Sequence, residues 1–432
     1  MRLATVSALA MCVFVSAPAL SAEPETVVVL KAAHLFDGKT GRLTSDGSVV
    51  VQGDKIVSVG AASSAPANAR VIDLGDATLL PGFIDAHTHL TSELRDDYYR
   101  GFHADIYRFP VEQSFYGALY AKRTLEAGFT TVRNLGASDF VDIGLRNAIK
   151  DGIAVGPRIV AAAHSIGSTG GHCDQGPFPP ETIAPLGPKQ GVCNGADECR
   201  EAVRYQMKWG ADVIKICASG GVLSEADPVD VPQLTPEELR AIVSEAHAWR
   251  KKVAAHSHGD AAARLAVEAG VDSIEHASFL TDDTLKLMKS KGAYLVPTRL
   301  AVFWVNQKAA GFPPAIAEKS RAAWNAHERT MHAAMKIGVR LAYGTDSGVS
   351  PHGMNGKEFK LLTQLGMSPA AALMTSFQGS AKLLGVDAEV GTLEAGKVAD
   401  IVAVRGNVLN DIATTETPVF VMKRGAVVVE KQ

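Results

Sequence analysis

The 432-residue chain has no basic excess: 43 Lys and Arg stand against 46 Asp and Glu, a formal charge of −3. No basic block stands out either, so the electrostatic footprint of a nucleic-acid binder is missing. Beyond the N-terminus no apolar run is long enough to span a bilayer. A Walker loop is absent, which removes that phosphate cradle. Gly344-Thr-Asp-Ser-Gly348 has Asp where a nucleophile elbow needs Ser. His327-Glu-Arg-Thr-Met-His332 is a zincin box with one residue too many. Five helical steps turn its two imidazoles about 140° apart.

What is present describes a large folded chain. Hydrophobic residues make up 47% and charged residues 21%, so a sizeable core can be buried and global disorder is excluded. The 40 Gly and 20 Pro are spread along the chain, which suits many short connections. The length fits two or three domains, or one barrel with an accessory domain.

Met1-Arg2, an apolar run from Leu3 to Ala19 and the small-residue site Ala19-Leu20-Ser21-Ala22 read as a secretory signal peptide covering residues 1–22. The expected location is therefore periplasmic or secreted. Cys12 follows Met11, too bulky for a lipid-attachment box. Cleavage leaves Cys173, Cys193, Cys199 and Cys217 in an oxidising compartment. Cys173 and Cys193 share a Gly/Pro-rich loop and are expected to pair. Cys199 falls on an apolar helix face with Ala202, Val203 and Met207 and reads as a buried thiol. Cys217 lies apart, on a strand.

Short β segments at Thr26–Leu30, Ser48–Gln52, Lys55–Val59 and Arg70–Asp73 recur in style at Asp400–Val404, Pro418–Met422 and Ala426–Val429. They predict a small β-sandwich domain built from both termini, residues 23–80 with 386–432. Residues 81–385 alternate strand and helix. The strands expected are Leu79–His87, Thr130–Leu135, Arg158–Ala163, Asp212–Cys217, Lys252–His256, Ser273–His276, Ala293–Pro297 and Arg340–Gly344. Thr235-Pro236-Glu237-Glu238 is a capping box, followed by the Leu239, Ile242, Val243, Ala246 stripe. Another helix begins at Thr281 and ends before Gly292. The alternation predicts an α/β fold, a (β/α)8 TIM-like barrel with its site at the C-terminal strand ends. A doubly wound sheet is second, and lacks its Gly-rich fingerprint here.

The metal-type side chains fall at those strand ends. His87 and His89 share one face at the end of the first strand, so both can point at one ion. His256 ends the fifth strand, His276 the sixth, and Asp346 follows the eighth. Lys215 lies inside the fourth, flanked by β-branched residues. A buried amine loses its proton readily, and a neutral amine can add CO2 to give a carbamate.

Gly82-Phe-Ile-Asp-Ala-His-Thr-His89, Lys215, His256, Ile274-Glu-His276 and Gly344-Thr-Asp346 resemble the binuclear amidohydrolase superfamily. Met367-Ser-Pro369 and Gly391-Thr-Leu-Glu-Ala-Gly-Lys-Val-Ala-Asp400 resemble its return into the β domain. Thr169-Gly-Gly-His172 and Ala218-Ser-Gly-Gly-Val222 look most like the imidazolonepropionase-related branch with Xaa-Pro dipeptidase, carboxypeptidase-like and ochratoxin-hydrolysing members. The resemblance implies two divalent ions, zinc above all. One is held by His87, His89 and Asp346 and the other by His256 and His276, with carboxylated Lys215 between them. It further implies Asp346 as proton carrier, catalytic help from His164 or His172, and self-association of the chain.

The expected activity is hydrolysis of the amide bond in a dipeptide or N-acyl amino acid. His164, His172 and Arg299 are candidate partners for a substrate carboxylate, and His258 stands beside a ligand. The remaining histidines, His327 and His352 among them, read as surface or packing residues. A cyclic amide (lactam or imidazolone) hydrolase keeps the same metals and is the enzyme alternative. A periplasmic binding protein is the alternative of another class.

Overall fold

The computed structural model describes residues 27–60 and 69–431, except 96, 175, 177, 178, 180, 182, 183 and 226. The segment read as a signal peptide lies outside these. The chain enters through β1 (Val27–Asp37), β2 (Arg42–Gln52), β3 (Lys55–Val59), β4 (Arg70–Asp73) and β5 (Ala77–Pro81). Eight parallel strands follow. They are β6 (Phe83–Thr88), β7 (Phe129–Asn134), β8 (Arg158–Ala161), β9 (Ile214–Cys217), β10 (Val253–Ser257), β11 (Ser273–His276), β12 (Tyr294–Val296) and β13 (Arg340–Leu341). The expected first strand, Leu79–His87, is thus two strands in two sheets. The break falls at Gly82, where any Cβ would collide with the Thr130 side chain.

β6 to β8 and β9 to β13 form two parallel runs. Parallel bridges join them, Ile166 with Ile216 on one side and Thr88 with Ser347 on the other. Ile166 N donates to Lys215 O at 2.8 Å and Asp346 N to His87 O at 2.8 Å, so the ring of eight closes. Strands buried on both faces need no alternation, and β6, β7, β9, β10 and β11 are buried at every position.

Helices fill the connections. α1 (Tyr98–Tyr107) and α2 (Pro110–Glu126) follow β6, α3 (Val141–Lys150) follows β7 and α4 (Ala196–Lys208) follows β8. α5 (Pro236–Ala248), α6 (Asp260–Ala269) and α7 (Asp282–Lys291) follow the next three strands. α8 (Arg299–Gln307) and α9 (Pro314–Ile337) follow β12; α10 (Lys357–Gln364), α11 (Pro369–Met374) and α12 (Ala381–Leu384) follow β13. The capping box of α5 forms as expected: Thr235 Oγ1 accepts from Glu238 N, and Glu238 Oε2 accepts from Thr235 N at 2.8 Å. Thr281 caps α7, which ends at left-handed Gly292.

β14 (Ile401–Arg405), β15 (Phe420–Lys423) and β16 (Ala426–Glu430) return to the first sheet. Its order is β16-β15-β14-β5-β1-β2-β3, with β4 on β1. Strands from both ends of the chain share this sheet. It is one continuous ladder rather than two separately bonded layers, because β5 pairs with both β1 and β14. Leu30, Val49, Leu79, Ile401 and Phe420 form its core.

Candidate metal centre

Strand geometry gathers the charged and imidazole groups at one end of the barrel. His87 closes β6 and is fully buried. Its Nδ1 donates to Glu275 Oε2 at 2.8 Å, which leaves Nε2 facing Asp346 Oδ1 at 3.4 Å. His89 Nε2 lies 3.2 Å from the same oxygen. His87 Nε2 and Asp346 Oδ1 are both buried without any hydrogen-bond partner. Two lone-pair donors facing each other repel unless a proton or cation lies between them, so this trio fits a metal ion.

A second trio stands alongside. Ligand atoms of His256, His258 and His276 lie within 4.8 Å of one another. His276 Nδ1 bonds Thr298 Oγ1 at 2.8 Å, and His258 Nδ1 bonds Ser278 Oγ at 2.8 Å. Such bonds fix ring orientation and leave Nε2 available to a cation. The ring centres of His87 and His276, one from each trio, are 5.0 Å apart.

Burial keeps His87, His256, His258 and His276 neutral. Burial pushes His87 down to about 4 and His258 to about 3, and holds His256 and His276 well below the ordinary value. Burial pushes Asp346 the other way, but His87 and His89 overcome it and hold the carboxylate at about 2. Lys215 is buried inside β9 and is lowered to about 8 by burial, with Glu275 and Asp346 opposing the shift.

Several non-glycine residues at this rim have left-handed backbones: Ala163 (φ 62°), His276 (φ 68°), Ala277 (φ 56°), Thr298 (φ 46°) and Asp346 (φ 57°). They turn the chain sharply where the strands end. A cavity of about 650 Å³ opens above the two trios, lined by His89, Lys215, His256, His258 and Asp346 among others. Val222, Leu223, Val302 and Val305 add apolar surface to its lining.

His164 and His172 both line this cavity. His164 Nε2 accepts from Asp139 N at 3.2 Å. His172 bonds Ser224 Oγ through Nδ1, and its ring centre is 4.3 Å from that of His256. Arg299 does not join them. Its guanidinium lies 3.4 Å over the Trp324 ring and donates to Trp324 O and His327 Nδ1, so α9 absorbs the charge. Lys215 is the one Lys or Arg among the described lining residues. His327 is a packing residue as expected, buried with Nε2 donating to Pro297 O at 2.9 Å, while His332 is exposed.

The cysteines pair differently from the expectation. Cys173 bonds Cys217 and Cys193 bonds Cys199. The loop after β8 runs alongside β9, so Cys173 Cα comes within 5.7 Å of that of Cys217. Cys193 lies just before α4, whose first turn brings Cys199 Cα within 5.0 Å of its own. Cys199 does occupy the buried face with Ala202 and Val203, but as half of a cystine.

Glu275 and Arg133 are the site residues that sequence reasoning passed over. Arg133 on β7 donates to Glu275 Oε1 on β11 at 2.8 Å across the barrel interior, and both are fully buried. Opposite charges inside two apolar strands were the available signal, since a buried charge needs a partner.

A closed parallel barrel with two donor trios that could hold metal ions at its strand ends fits metal-assisted hydrolysis. The amidohydrolase family pattern matches residues 78–429. Ochratoxinase of Aspergillus niger is 32% identical over 355 residues, covering 79% of this chain and 72% of that protein. The crystal structure of a Xaa-Pro dipeptidase with bound methionine in its active site superposes with a TM-score of 0.88 at 38% identity, covering 93% of this chain and 99% of that one. A prolidase complexed with N-methylphosphonate-L-proline superposes at 0.84 with 30% identity, covering 94% and 100%. The chain belongs to the amidohydrolase family, and it is a hydrolase of amide bonds.

Proposed function

We propose that the chain is an exported binuclear-metal amidohydrolase that cleaves dipeptides or N-acyl amino acids. The observation that carries this reading is the pair of donor trios beside a buried lysine. In this reading His87, His89 and Asp346 hold one cation, and His256 and His276 hold the other with His258 at their side. Lys215, neutral once its depressed pKa is passed, would add CO2 at Nζ and lose a proton, giving a carbamate able to serve both positions. Two divalent ions, zinc by donor type, supply Lewis acidity and a water that ionises near neutral pH. The Asp346 carboxylate, through the oxygen not turned toward His87 and His89, would accept the proton of the attacking water and return it to the leaving amine. Glu275 holds the His87 tautomer and Thr298 that of His276.

Substrate recognition falls to the loops above the ring. With Arg299 spent on Trp324, a substrate carboxylate has His164, His172 and backbone N–H groups to meet it. The apolar part of the lining suits an acyl group or a Pro or Phe side chain. The names of the relatives favour the same choice: ochratoxinase, Xaa-Pro dipeptidase and prolidase. Residues 1–22 are proposed as the cleaved leader, 23–80 with 386–432 as the composite β domain and 81–385 as the barrel. Two cystines agree with an oxidising destination.

The test is one metal-loaded preparation assayed on Xaa-Pro, Xaa-Phe, their C-terminal amides and an N-acyl-Phe. Blocking the C-terminus should lower kcat/KM at least about tenfold, and the N-acyl-Phe should be cleaved. Equal rates for free and blocked termini would transfer the site to cyclic amides.

A further inference from the structure

Lys319 stands in the second turn of α9, and its side chain is only 14% exposed. A helix lysine normally keeps its charged head in water. This one spends its donors on the backbone of a single loop. Nζ donates to Gly221 O at 3.2 Å, to Ser224 O at 2.6 Å and to Asp227 O. An ammonium has three N–H groups, so these contacts use all of them. Asp227 Oδ1, buried without a hydrogen-bond partner, lies 3.7 Å from the same nitrogen. The loop follows β9 and α9 follows β12, with β10 and β11 between them in the sheet. Lys319 therefore ties together connections that leave the ring three strands apart.

The tied loop is the one packed on His172. Ser224 Oγ bonds His172 Nδ1, and a Cβ at Gly221 would lie 2.1 Å from the His172 ring. Asp227 Oδ2 accepts from Gly221 N at 3.2 Å and from Gln233 Nε2 at 2.6 Å, while Gln233 Oε1 accepts from His172 N at 2.8 Å. Every residue that fixes this imidazole thus belongs to the loop or bonds to it, and the loop itself is anchored on Lys319. We infer that Lys319 is a positioning residue for the hydrolysis, setting the stance of the His172 ring over the cavity through the loop after β9. It lies behind the cavity wall and acts at second hand. The inference rests on the proposed reading of His172 as a group that meets substrate.

The test compares metal-loaded wild type, Lys319→Met, Ser224→Ala and the double variant on the amide panel above, extended by a cyclic amide. Lys319→Met keeps the length of the side chain and removes its donors. It should raise KM about tenfold while kcat stays within about twofold of wild type. A merely structural role would instead lower the active fraction, so that kcat falls at constant KM. Ser224→Ala should give the same split, and the double variant should be no worse than either single one, because both act on one imidazole. Lys319→Gln takes the place of Lys319→Met in this cycle if the latter does not fold. Hydrogen exchange should quicken around Ser224 and over residues 168–174 in Lys319→Met, with β9 and α9 still protected. Unchanged KM, KM effects that multiply in the double variant, or unchanged exchange would each overturn the inference. A wild type that cleaves none of the amides, with exchange still quickened in Lys319→Met, would overturn the substrate reading and leave the loop anchor supported.

Discussion

His87 and Glu275 are joined by a 2.8 Å hydrogen bond buried at the base of the candidate metal centre. Burial raises the carboxyl of Glu275, but Arg133 and His87 outweigh it and hold the group at about 2. It therefore stays an anion and keeps the His87 proton on Nδ1. Glu275→Gln should weaken metal retention by roughly 10- to 100-fold. Chelator competition on metal-loaded protein measures this, and wild-type retention would show that Glu275 does not orient the ligand.

Lys215 is the residue expected to connect the two trios. Lys215→Ala should lose at least about 100-fold in kcat, on the scale of a missing electrostatic contact in an active site. Metal content should fall from close to two ions. A short carboxylic acid in solution should restore part of the activity by supplying two oxygens in the same place. Full activity without the acid would remove the bridging role.

Non-reducing peptide mapping should recover Cys173 with Cys217 and Cys193 with Cys199. Cys173 adjoins His172, and Cys217 lies two residues beyond Lys215 on the same strand. Opening this cystine should free the His172 loop and raise KM several-fold with a smaller change in kcat. Steady-state rates with and without a dithiol, using Cys193→Ser/Cys199→Ser as background, separate the two bridges. Identical KM values would detach His172 placement from the crosslink.

His327 gives a pH signature outside the proposed ligand set. Burial, aided by Arg299, lowers it to about 3, against 6.5 for an open imidazole. Between those values the unfolded chain binds one proton that the folded chain refuses. Stability from this group is thus intact above about pH 6.5 and declines as pH falls toward 3. His327→Gln keeps a donor and an acceptor but does not titrate. Its unfolding free energy should lose about 1.4 kcal/mol per pH unit of slope between pH 4 and 6. A slope equal to wild type would mean that the ring charges within the fold.

The strand ends were legible because parallel barrel strands are short apolar runs, and a His or Lys interrupting one is conspicuous. His87, His89, Lys215, His256, His276 and Asp346 all come to one end of the ring for that reason. Long-range partners were not legible. Nothing near Arg299 in sequence announces Trp324 and His327, which reach it only through α9. The cystines failed likewise: the expected pair was chosen by shared loop, whereas Cys173 meets a strand that begins 41 residues later. The split at Gly82 was hidden because Leu79–His87 is continuously apolar up to Asp85, and the Thr130 side chain that forces the break is distant in sequence.

The left-handed backbones at Ala163, His276, Ala277, Thr298 and Asp346 place the barrel's working end in tension with its own folding. Each conformation costs an L-residue about 1 kcal/mol or more. The opposite end of the ring and the composite sheet must supply that surplus. The chain is therefore expected to have spare stability in its scaffold and none at its mouth. Selection for heat resistance should accumulate changes in the scaffold, while a glycine at Ala277 would relax the rim and loosen the neighbouring imidazole it now holds in place.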